Sequence, residues 1–361
     1  MFSIIKKNAL RLTGFALAFV ALQACNKEFE DIKGANTTPP PSDEPTAGVL
    51  IETDANFSIL KAAVTKAGLL DALKVEGGSY TVFAPDNAAF TVSGISEAVI
   101  NALPAAQVQA ILSYHVIPNA LPSAQITTNF PNVQMPTLLP LPVGNPLVKM
   151  SIFPSRRGNN LWANNIPVIQ PDIQIANGVM HKVAAVVAPP QLLIKQILTA
   201  DPELSYLLAA IQRADAGQTG LNRLDSAINF GLANLTVFAP TNEAFKPVLA
   251  AMLPPGTPIS EAVFAAMPVE TVRGIVAYHM LGQRAYSVNL PSAATNIPTL
   301  LNGAVPNHPG VNVVATFTGP VVTEIKVTGL GNRGASATVT TKDINAVNGV
   351  VHKINMVLLP Q

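Results

Sequence analysis

Four of the five histidines in this 361-residue chain lie in short motifs that each occur twice. Histidine titrates near neutral pH and is a common zinc ligand, so a repeated histidine could serve acid–base chemistry or hold a metal. Within each repeat, however, the two histidines lie far apart, without a HExxH sequence or a second histidine at helical spacing. We therefore predict no metal site and no cofactor. The four histidines are His115, His181, His279 and His352.

The later histidine of each repeat belongs to a longer pattern, Asp-Ile followed by Asn-Gly-Val-x-His. Asn-Gly is typical of a tight hairpin turn with positive φ, which would bring the aspartate and the histidine onto neighbouring strands. A histidine on the buried face of such a strand needs hydrogen-bond partners. We therefore interpret the pattern as a structural motif whose histidine bonds to backbone or to a polar neighbour. Its residues are Asp172, Asn177 and His181, and then Asp343, Asn348 and His352.

The earlier histidine of each repeat follows a tyrosine at the end of an apolar, helix-like stretch, in Tyr114-His115 and Tyr278-His279. Donors and cations suit the C-terminus of a helix, because its last carbonyl groups lack partners within the helix. One interpretation is therefore that the tyrosine anchors the helix and the histidine caps it.

Two further features bear on catalysis and on ligand binding. The sequence contains no Gly-x-Ser-x-Gly, no phosphate-binding loop and no dinucleotide fingerprint in a βαβ context, so we predict that the chain is not an enzyme. The basic stretch at residues 156–160, Arg-Arg-Gly-Asn-Asn, is interpreted as a solvated turn, with contact to a glycan or an anion as the alternative.

The elements that carry these residues follow a repeated order. Thr81–Phe90 and Thr236–Phe245 differ only at their sixth and eighth positions. In each, a β-prone run meets a proline and then Asp86 or Thr241, which are good N-cap residues for a helix. Because helix-like patterns come early in each repeat and short β-prone runs come late, the sequence indicates the α+β class.

The duplication divides the chain into parts. A repeat this long is a duplicated domain rather than a solenoid unit. We place the first domain at residues 47–190 and the second at residues 191–361, with the boundary near Pro189-Pro190. Each holds a full set of motifs and its own apolar pattern, so we expect each to fold alone.

The N-terminal residues are typical of an export signal. Residues 1–24 combine a basic start with an apolar stretch that is short for a membrane span, directly before Cys25, the only cysteine. This arrangement resembles the lipobox of bacterial lipoproteins, which implies lipidation of Cys25. Residues 25–46 would then be the lipidated cysteine and a flexible tether. An acidic cluster behind Cys25 favours an outer membrane lipoprotein at the cell surface, and a periplasm-facing orientation is the alternative.

The composition excludes some classes of binding partner. The net charge is +1 and only 12% of the residues are charged, without a stripe of Lys and Arg, so we do not expect nucleic acid as a partner. Hydrophobic residues make up 49% of the chain, which argues against global disorder. The expected partners are the membrane, through the lipid anchor, and an unidentified protein or glycan at the cell envelope.

The two sets of motifs resemble the fasciclin domain. Thr81–Phe90 and Thr236–Phe245 are similar to the first motif of that family, the Tyr-His pairs to its second, and Asp172–Pro189 and Asp343–Pro360 to its closing motif. The resemblance implies two fasciclin-like domains, each a β-sandwich or wedge with helices packed alongside, in a cell-surface or extracellular protein associated with adhesion. The candidate adhesion motif that it implies is Tyr114, His115, Tyr278 and His279.

From these features we expect a lipid-anchored envelope protein whose two fasciclin-like modules adhere or bind without catalysis. The alternative is an accessory or enzymatic component of envelope polysaccharide processing. Against that alternative, no pair of carboxylates recurs in any repeated motif, and only Asp172 and Asp343 recur near a motif.

Overall fold

The computed structural model describes residues 43–128, 130–142 and 145–361. The predicted signal peptide, Cys25 and residues 25–42 of the tether lie outside the described residues. Within the described residues, no helix is both long and apolar enough to cross a bilayer. We call residues 47–190 the first repeat and residues 191–361 the second repeat.

The first repeat begins with helices and ends with strands. Its helices are α1 (Ala47–Thr53), α2 (Ser58–Lys66), α3 (Leu70–Leu73), α4 (Asn87–Val92), α5 (Glu97–Ala102) and α6 (Ala105–Tyr114). Its strands are β1 (Tyr80–Pro85), β2 (Val116–Ile117), β3 (Met135–Pro140), β4 (Lys149–Ile152), β5 (Pro154–Arg157), β6 (Asn160–Ala163), β7 (Ile166–Ile175) and β8 (Gly178–Val183).

The second repeat follows the same order. Its helices are α7 (Ile194–Ala200), α8 (Ser205–Ala214), α9 (Leu224–Asn229), α10 (Asn242–Met252) and α11 (Val269–Tyr278). Its strands are β9 (Leu235–Pro240), β10 (Met280–Leu281), β11 (Thr295–Ile297), β12 (Val311–Thr318), β13 (Val321–Thr328), β14 (Ala337–Ala346) and β15 (Gly349–Ile354). The predicted α+β class is confirmed.

Each repeat is organised around one main sheet. The strand order is β2-β1-β8-β7-β6-β5 in the first repeat and β10-β9-β15-β14-β13-β12-β11 in the second, and β3 and β4 form a separate pair. Strands β1 and β8 pair in parallel, as do β9 and β15, while the other pairs are antiparallel. The strand of the first motif therefore lies directly beside the strand of the closing motif, although the two are far apart in sequence.

The helices that follow β1 and β9 begin where the sequence predicts. The Asp86 side chain accepts a hydrogen bond from the Ala89 amide at 2.9 Å, and the Thr241 hydroxyl accepts one from the Ala244 amide at 3.4 Å. These caps satisfy amide groups that a helix leaves unpaired in its first turn. The first motif thus encodes a strand, a proline and a capped helix by local interactions alone.

The hydrophobic cores of the two repeats meet. Phe153, which links β4 to β5, and Trp162 on β6 belong to the first repeat but pack in the core of the second repeat. Both are almost fully buried, and the Phe153 ring lies 6.1 Å from that of Tyr286. The hairpin formed by β5 and β6 therefore contributes apolar side chains to the neighbouring repeat.

Candidate functional site

The closing-motif histidines lie in the interior, beside the first motif. Strand register places His181 opposite Phe83 and His352 opposite Phe238, and the imidazole ring is 5.6 Å from the phenyl ring in the first repeat and 5.7 Å in the second. Neither histidine is exposed to solvent. Both rings are therefore covered by the fold on all sides.

Both ring nitrogens of His181 are hydrogen-bonded to backbone. Nδ1 accepts from the Asp172 amide at 3.1 Å, so Nε2 carries the proton and donates to the Leu121 carbonyl at 2.9 Å. Burial lowers the pKa of His181, because a charged imidazole would lose its hydration there. The side chain is thus a neutral imidazole with one donor and one acceptor, both of them used.

His352 repeats this arrangement in the second repeat. Its Nδ1 accepts from the Asp343 amide at 3.2 Å and its Nε2 donates to the Ala285 carbonyl at 2.8 Å. Burial lowers the pKa of His352 too, against the opposing effect of the Asp343 charge. The two histidines connect equivalent points of the two repeats.

Each closing-motif aspartate adopts a left-handed backbone conformation. The φ angles are 57° at Asp172 and 61° at Asp343, where the pairing of β7 with β8 and of β14 with β15 shifts register. Such angles are uncommon outside glycine but tolerated by aspartate. The bulge aims each carboxylate at a serine: Asp172 accepts from both the amide and the hydroxyl of Ser123, and Asp343 from those of Ser287. We call each Ser-Asp-His set an anchor network.

An anchor network contains a serine, an aspartate and a histidine but lacks the arrangement of a catalytic triad. In a triad the serine hydroxyl gives its proton to the histidine, and the aspartate orients that histidine. Here the Ser123 hydroxyl donates to the carboxylate, and the His181 ring is occupied by the backbone of Leu121 and Asp172. The network can hold a bulge, a loop and a strand together, but its histidine has no free nitrogen to accept the serine proton.

The motif asparagines bind the backbone of distant helices. In the first repeat, Asn177 accepts from the Ala47 amide at 2.9 Å and donates to the carbonyls of Leu73 and Val75 at 2.8 and 3.1 Å. These groups lie at the start of α1 and just after α3. The asparagine therefore ties the hairpin of β7 and β8 to the helical layer.

Asn348 does the same in the second repeat. It accepts from the Ile194 amide at 2.9 Å and donates to the carbonyls of Ile228 and Phe230 at 2.9 and 3.1 Å. Ile194 begins α7, and the two carbonyls lie at the end of α9. The two asparagines are thus equivalent in their partners as well as in their sequence position.

The predicted Asn-Gly turn with positive φ is wrong in position. The reversal occupies Ala176-Asn177 and, in the second repeat, Val347-Asn348, and the glycines already belong to β8 and β15. None of the four turn residues has positive φ, and of the two glycines only Gly178 does. The glycines are required by close approach instead: a Cβ on Gly178 would lie 2.0 Å from the Tyr80 carbonyl oxygen.

The Tyr-His pairs are also buried. Tyr114 and Tyr278 are inaccessible to solvent, and their hydroxyl groups donate to the carbonyls of Ser151 at 3.0 Å and Gly310 at 2.6 Å. Burial raises the pKa of both tyrosines, so they remain protonated donors. The tyrosines therefore hold the segment that follows each helix, and their side chains are not displayed to a partner.

The two histidines of these pairs join the helix end to the end of the repeat. His115 Nδ1 donates to the Ile111 carbonyl at 2.8 Å, and its Nε2 accepts from the Val187 amide at 2.9 Å. His279 does the same with Ile275 and Leu358. Burial lowers the pKa of His115 and of His279 to about 4, so each caps its helix as a neutral donor and not as a cation.

The structure differs from the sequence prediction at the basic stretch. Arg156 and Arg157 lie in β5 and not in a solvated turn, which is limited to Gly158 and Asn159. The Arg157 guanidinium donates to the Leu290 carbonyl at 2.6 Å and stacks 3.9 Å above the Phe317 ring. Two adjacent arginines were the only signal in the sequence that this hairpin contacts something.

Among the residues that the structure describes, no group of three or more His, Cys, Asp or Glu side chains could hold a metal ion. The motif residues instead fall into two buried sets in each repeat, the anchor network with its asparagine and the Tyr-His pair. Their shared property is bonding to backbone groups that the sequence places far away.

The chain is similar in sequence to a family model and to several known proteins. The Fasciclin domain model matches residues 55–189 and 202–360, well over half of the chain. Protein sll1483 of Synechocystis sp. is 32% identical over 184 residues, which cover 50% of this chain and 93% of that protein. Transforming growth factor-beta-induced protein ig-h3 of Sus scrofa is 34% identical over 141 residues, which cover 39% of this chain and 19% of the relative.

The chain is also similar to a solved structure. A FAS1 domain pair from the insect cell adhesion molecule fasciclin I aligns with 85% of this chain and 98% of its own, with a TM-score of 0.38 and 17% identity. The family match, which covers the motifs of both repeats, confirms the resemblance predicted from the sequence. The chain belongs to the fasciclin domain family and carries two such domains in tandem.

Proposed function

We propose that this chain is a lipid-anchored protein of the bacterial cell envelope that adheres to or binds a partner through its paired fasciclin domains. Membership of the fasciclin family supports an adhesion or binding protein. The observation that carries the proposal is that the polar motif side chains of both domains are used inside the fold. The motif residues therefore hold the fold together, and a partner would contact other residues on the domain surfaces.

Anchoring rests on the lipobox-like sequence that ends at Cys25. Lipoprotein modification supplies more than one acyl chain, which stable membrane attachment requires. Cys25→Ser removes the acceptor thiol, so the variant should move from the detergent phase to the aqueous phase in detergent phase separation. An unchanged detergent-phase fraction would contradict lipid anchoring.

Adhesion is tested on whole cells. Cells that make the full chain should attach to layers of envelope protein or polysaccharide from the same organism more strongly than cells lacking the gene. Protease treatment of intact cells should remove both the chain and the attachment if the protein faces outward. Equal attachment with and without the gene would contradict the adhesion function, whereas protection from protease would place the protein on the periplasmic side.

A further inference from the structure

A polar cavity of about 370 Å³ lies between the β5 edge of the first sheet and a loop of the second repeat. It is lined by Ser155, Arg156 and Arg157 on β5 and by second-repeat residues 288, 289 and 291–293, with further lining residues from the loop before β3. Cavities of this size commonly accept a small ligand or one unit of a larger one. The cavity differs from the apolar grooves of the molecule in the polar side chains among its lining residues.

The lining is unusual because several of its buried polar atoms have no hydrogen-bond partner. Within the described part of the chain, five buried side-chain nitrogen or oxygen atoms lack a hydrogen bond, and the residues that carry them all line this cavity. Buried polar atoms are rarely left unpaired in folded proteins, since each costs desolvation energy. The five atoms are Asn132 Nδ2, Ser155 Oγ, Arg156 Nε, Arg157 Nε and Asn289 Oδ1.

The charge of the cavity is uncompensated. In the described ranges, neither Arg156 nor Arg157 forms an ion pair, and the lining contains no Asp or Glu. Arg157 donates through Nη2 to the carbonyls of Val288 and Leu290, while its buried Nε has no partner. Arginine is the preferred residue for binding oxyanions in partly buried sites.

The remaining groups indicate more than a bare anion. Asn132 Nδ2 is a neutral donor and Ser155 Oγ can donate or accept, so both can assist the arginines or bind a ligand hydroxyl. Asn289 Oδ1 is an acceptor and requires a donor from the ligand. Ser155 is only 4% exposed, so its hydroxyl belongs to the interior of the fold and is not a chance surface group.

Each anchor network holds a turn that leads into the lining of the cavity. Ser287, which bonds to Asp343, begins the 3-10 turn Ser287–Asn289 that presents the Asn289 side chain. Ser123 begins the equivalent turn in the first repeat, and Thr127 and Thr128 a few residues later also line the cavity.

We propose that this cavity binds the carboxylate and a neighbouring hydroxyl of an acidic sugar residue, such as a hexuronate unit of an envelope polysaccharide. The two arginines receive the carboxylate, and Asn289 accepts a hydrogen bond from a ring hydroxyl. This inference rests on the proposed binding function and names the ligand class. It takes up the glycan or anion contact that the sequence left as an alternative for residues 156–160.

The fluorescence of Trp162 offers a local readout, because it is the only tryptophan and pairs with Ser155 across β5 and β6. The full chain in detergent micelles is titrated with D-glucuronate, D-glucose, sulfate and N-acetyl-aspartate methylamide. We expect a saturable change with D-glucuronate, and binding at least about tenfold weaker for the others, since each lacks the carboxylate, the hydroxyl or both. D-glucuronate should also raise the Tm in proportion to its saturation.

Variants test the site itself. Arg156→Gln should weaken D-glucuronate binding about tenfold or more, and Ser155→Ala, which keeps the charge and the fold, roughly fivefold. Arg333→Gln removes the same charge from an exposed position away from the cavity and should leave binding unchanged.

Four results would overturn the proposal: no saturable response to D-glucuronate, an equal response to sulfate, an equal response to N-acetyl-aspartate methylamide, or equal losses in Arg156→Gln and Arg333→Gln. The second would indicate a simple oxyanion site and the third a site for an acidic peptide. In each case, undiminished attachment of cells that display the chain would show that the adhesion function stands while the sugar assignment fails.

Discussion

The two repeats contain the same interior hydrogen bonds but cover their tyrosines with different segments. In the first repeat, β4 supplies the Ser151 carbonyl and Asn164 donates to the Tyr114 hydroxyl at 3.1 Å. In the second, the Gly310 carbonyl and the Leu330 amide, at 3.1 Å, take these places around Tyr278. The segment between the Tyr-His pair and the closing motif thus differs between the repeats. In both, it supplies a carbonyl that accepts from the tyrosine hydroxyl and a donor that hydrogen-bonds to it.

This comparison distinguishes the residues that hold the fold in both repeats from the surface segments that differ between them. The motif residues recur because each bonds to backbone at a point that both domains need. The variable segment carries the β5–β6 hairpin in the first repeat and the long β12–β13 hairpin in the second. Arg156, Arg157 and Trp162 all lie on the first of these hairpins, so the features that distinguish this chain lie where its repeats differ.

Acidification should have the largest effect and should affect both repeats alike. His115 and His279 have a pKa of about 4 in the folded protein against an ordinary 6.5, because burial disfavours the charged ring. Between these values the unfolded chain binds more protons, so stability is fully present above pH 6.5 and is lost as the pH falls toward 4. We expect a loss of roughly 3 kcal/mol per histidine, measured from urea unfolding at pH 7, 5.5 and 4. A constant free energy of unfolding over this range would contradict the buried neutral state.

Trp162→Ala tests whether the repeats are independent. The side chain belongs to the first repeat but packs in the core of the second, and loss of a large buried aromatic costs about 3–5 kcal/mol. Hydrogen exchange should therefore accelerate in β12 and β13 as well as in β5 and β6. Val92→Ala, at a position 75% exposed, is the control and should change neither. Faster exchange confined to the first repeat would show that the cores are separate, as the sequence predicts.

Asn348→Ala and Asn177→Ala compare the two hairpin ties. Each substitution leaves one amide and two carbonyls of distant helices without their partner, so we expect a loss of roughly 3 kcal/mol in each case. Asn101→Ala, an exposed helical position, should be neutral. A loss in only one repeat on urea unfolding would mean that the two ties are not equivalent.

Tyr114→Phe and Tyr278→Phe should have the smallest effect on stability. Each removes one hydroxyl and leaves a carbonyl and a donor unpaired, at a cost of about 1–2 kcal/mol. The ring and its packing remain, so circular dichroism should be unchanged. A loss above that of the asparagine variants would show that the tyrosine hydroxyls, rather than the asparagines, hold the variable segments.

What the sequence could predict depends on how far each interaction reaches. The N-caps Asp86 and Thr241 bond three residues away, and both were predictable from local chemistry. Asn177 accepts from the Ala47 amide, 130 residues earlier. The sequence predicted a structural role for Asn177 only as part of a turn, because this partner is too distant to read from the local sequence. Arg157 bonds to Leu290, 133 residues later, and the two adjacent arginines indicate a contact without indicating this partner. The α+β class was predictable because it follows from the order of local patterns.

The central claim is that the repeated motifs hold the fold while binding depends on the hairpin where the repeats differ. The direct measurement is attachment to envelope polysaccharide by cells that display, at matched levels, the parent chain, Tyr278→Phe or Arg156→Gln. The account predicts that Tyr278→Phe attaches like the parent and that Arg156→Gln loses attachment. Loss with Tyr278→Phe and retention with Arg156→Gln would contradict it and return the Tyr-His pair to the role of adhesion motif.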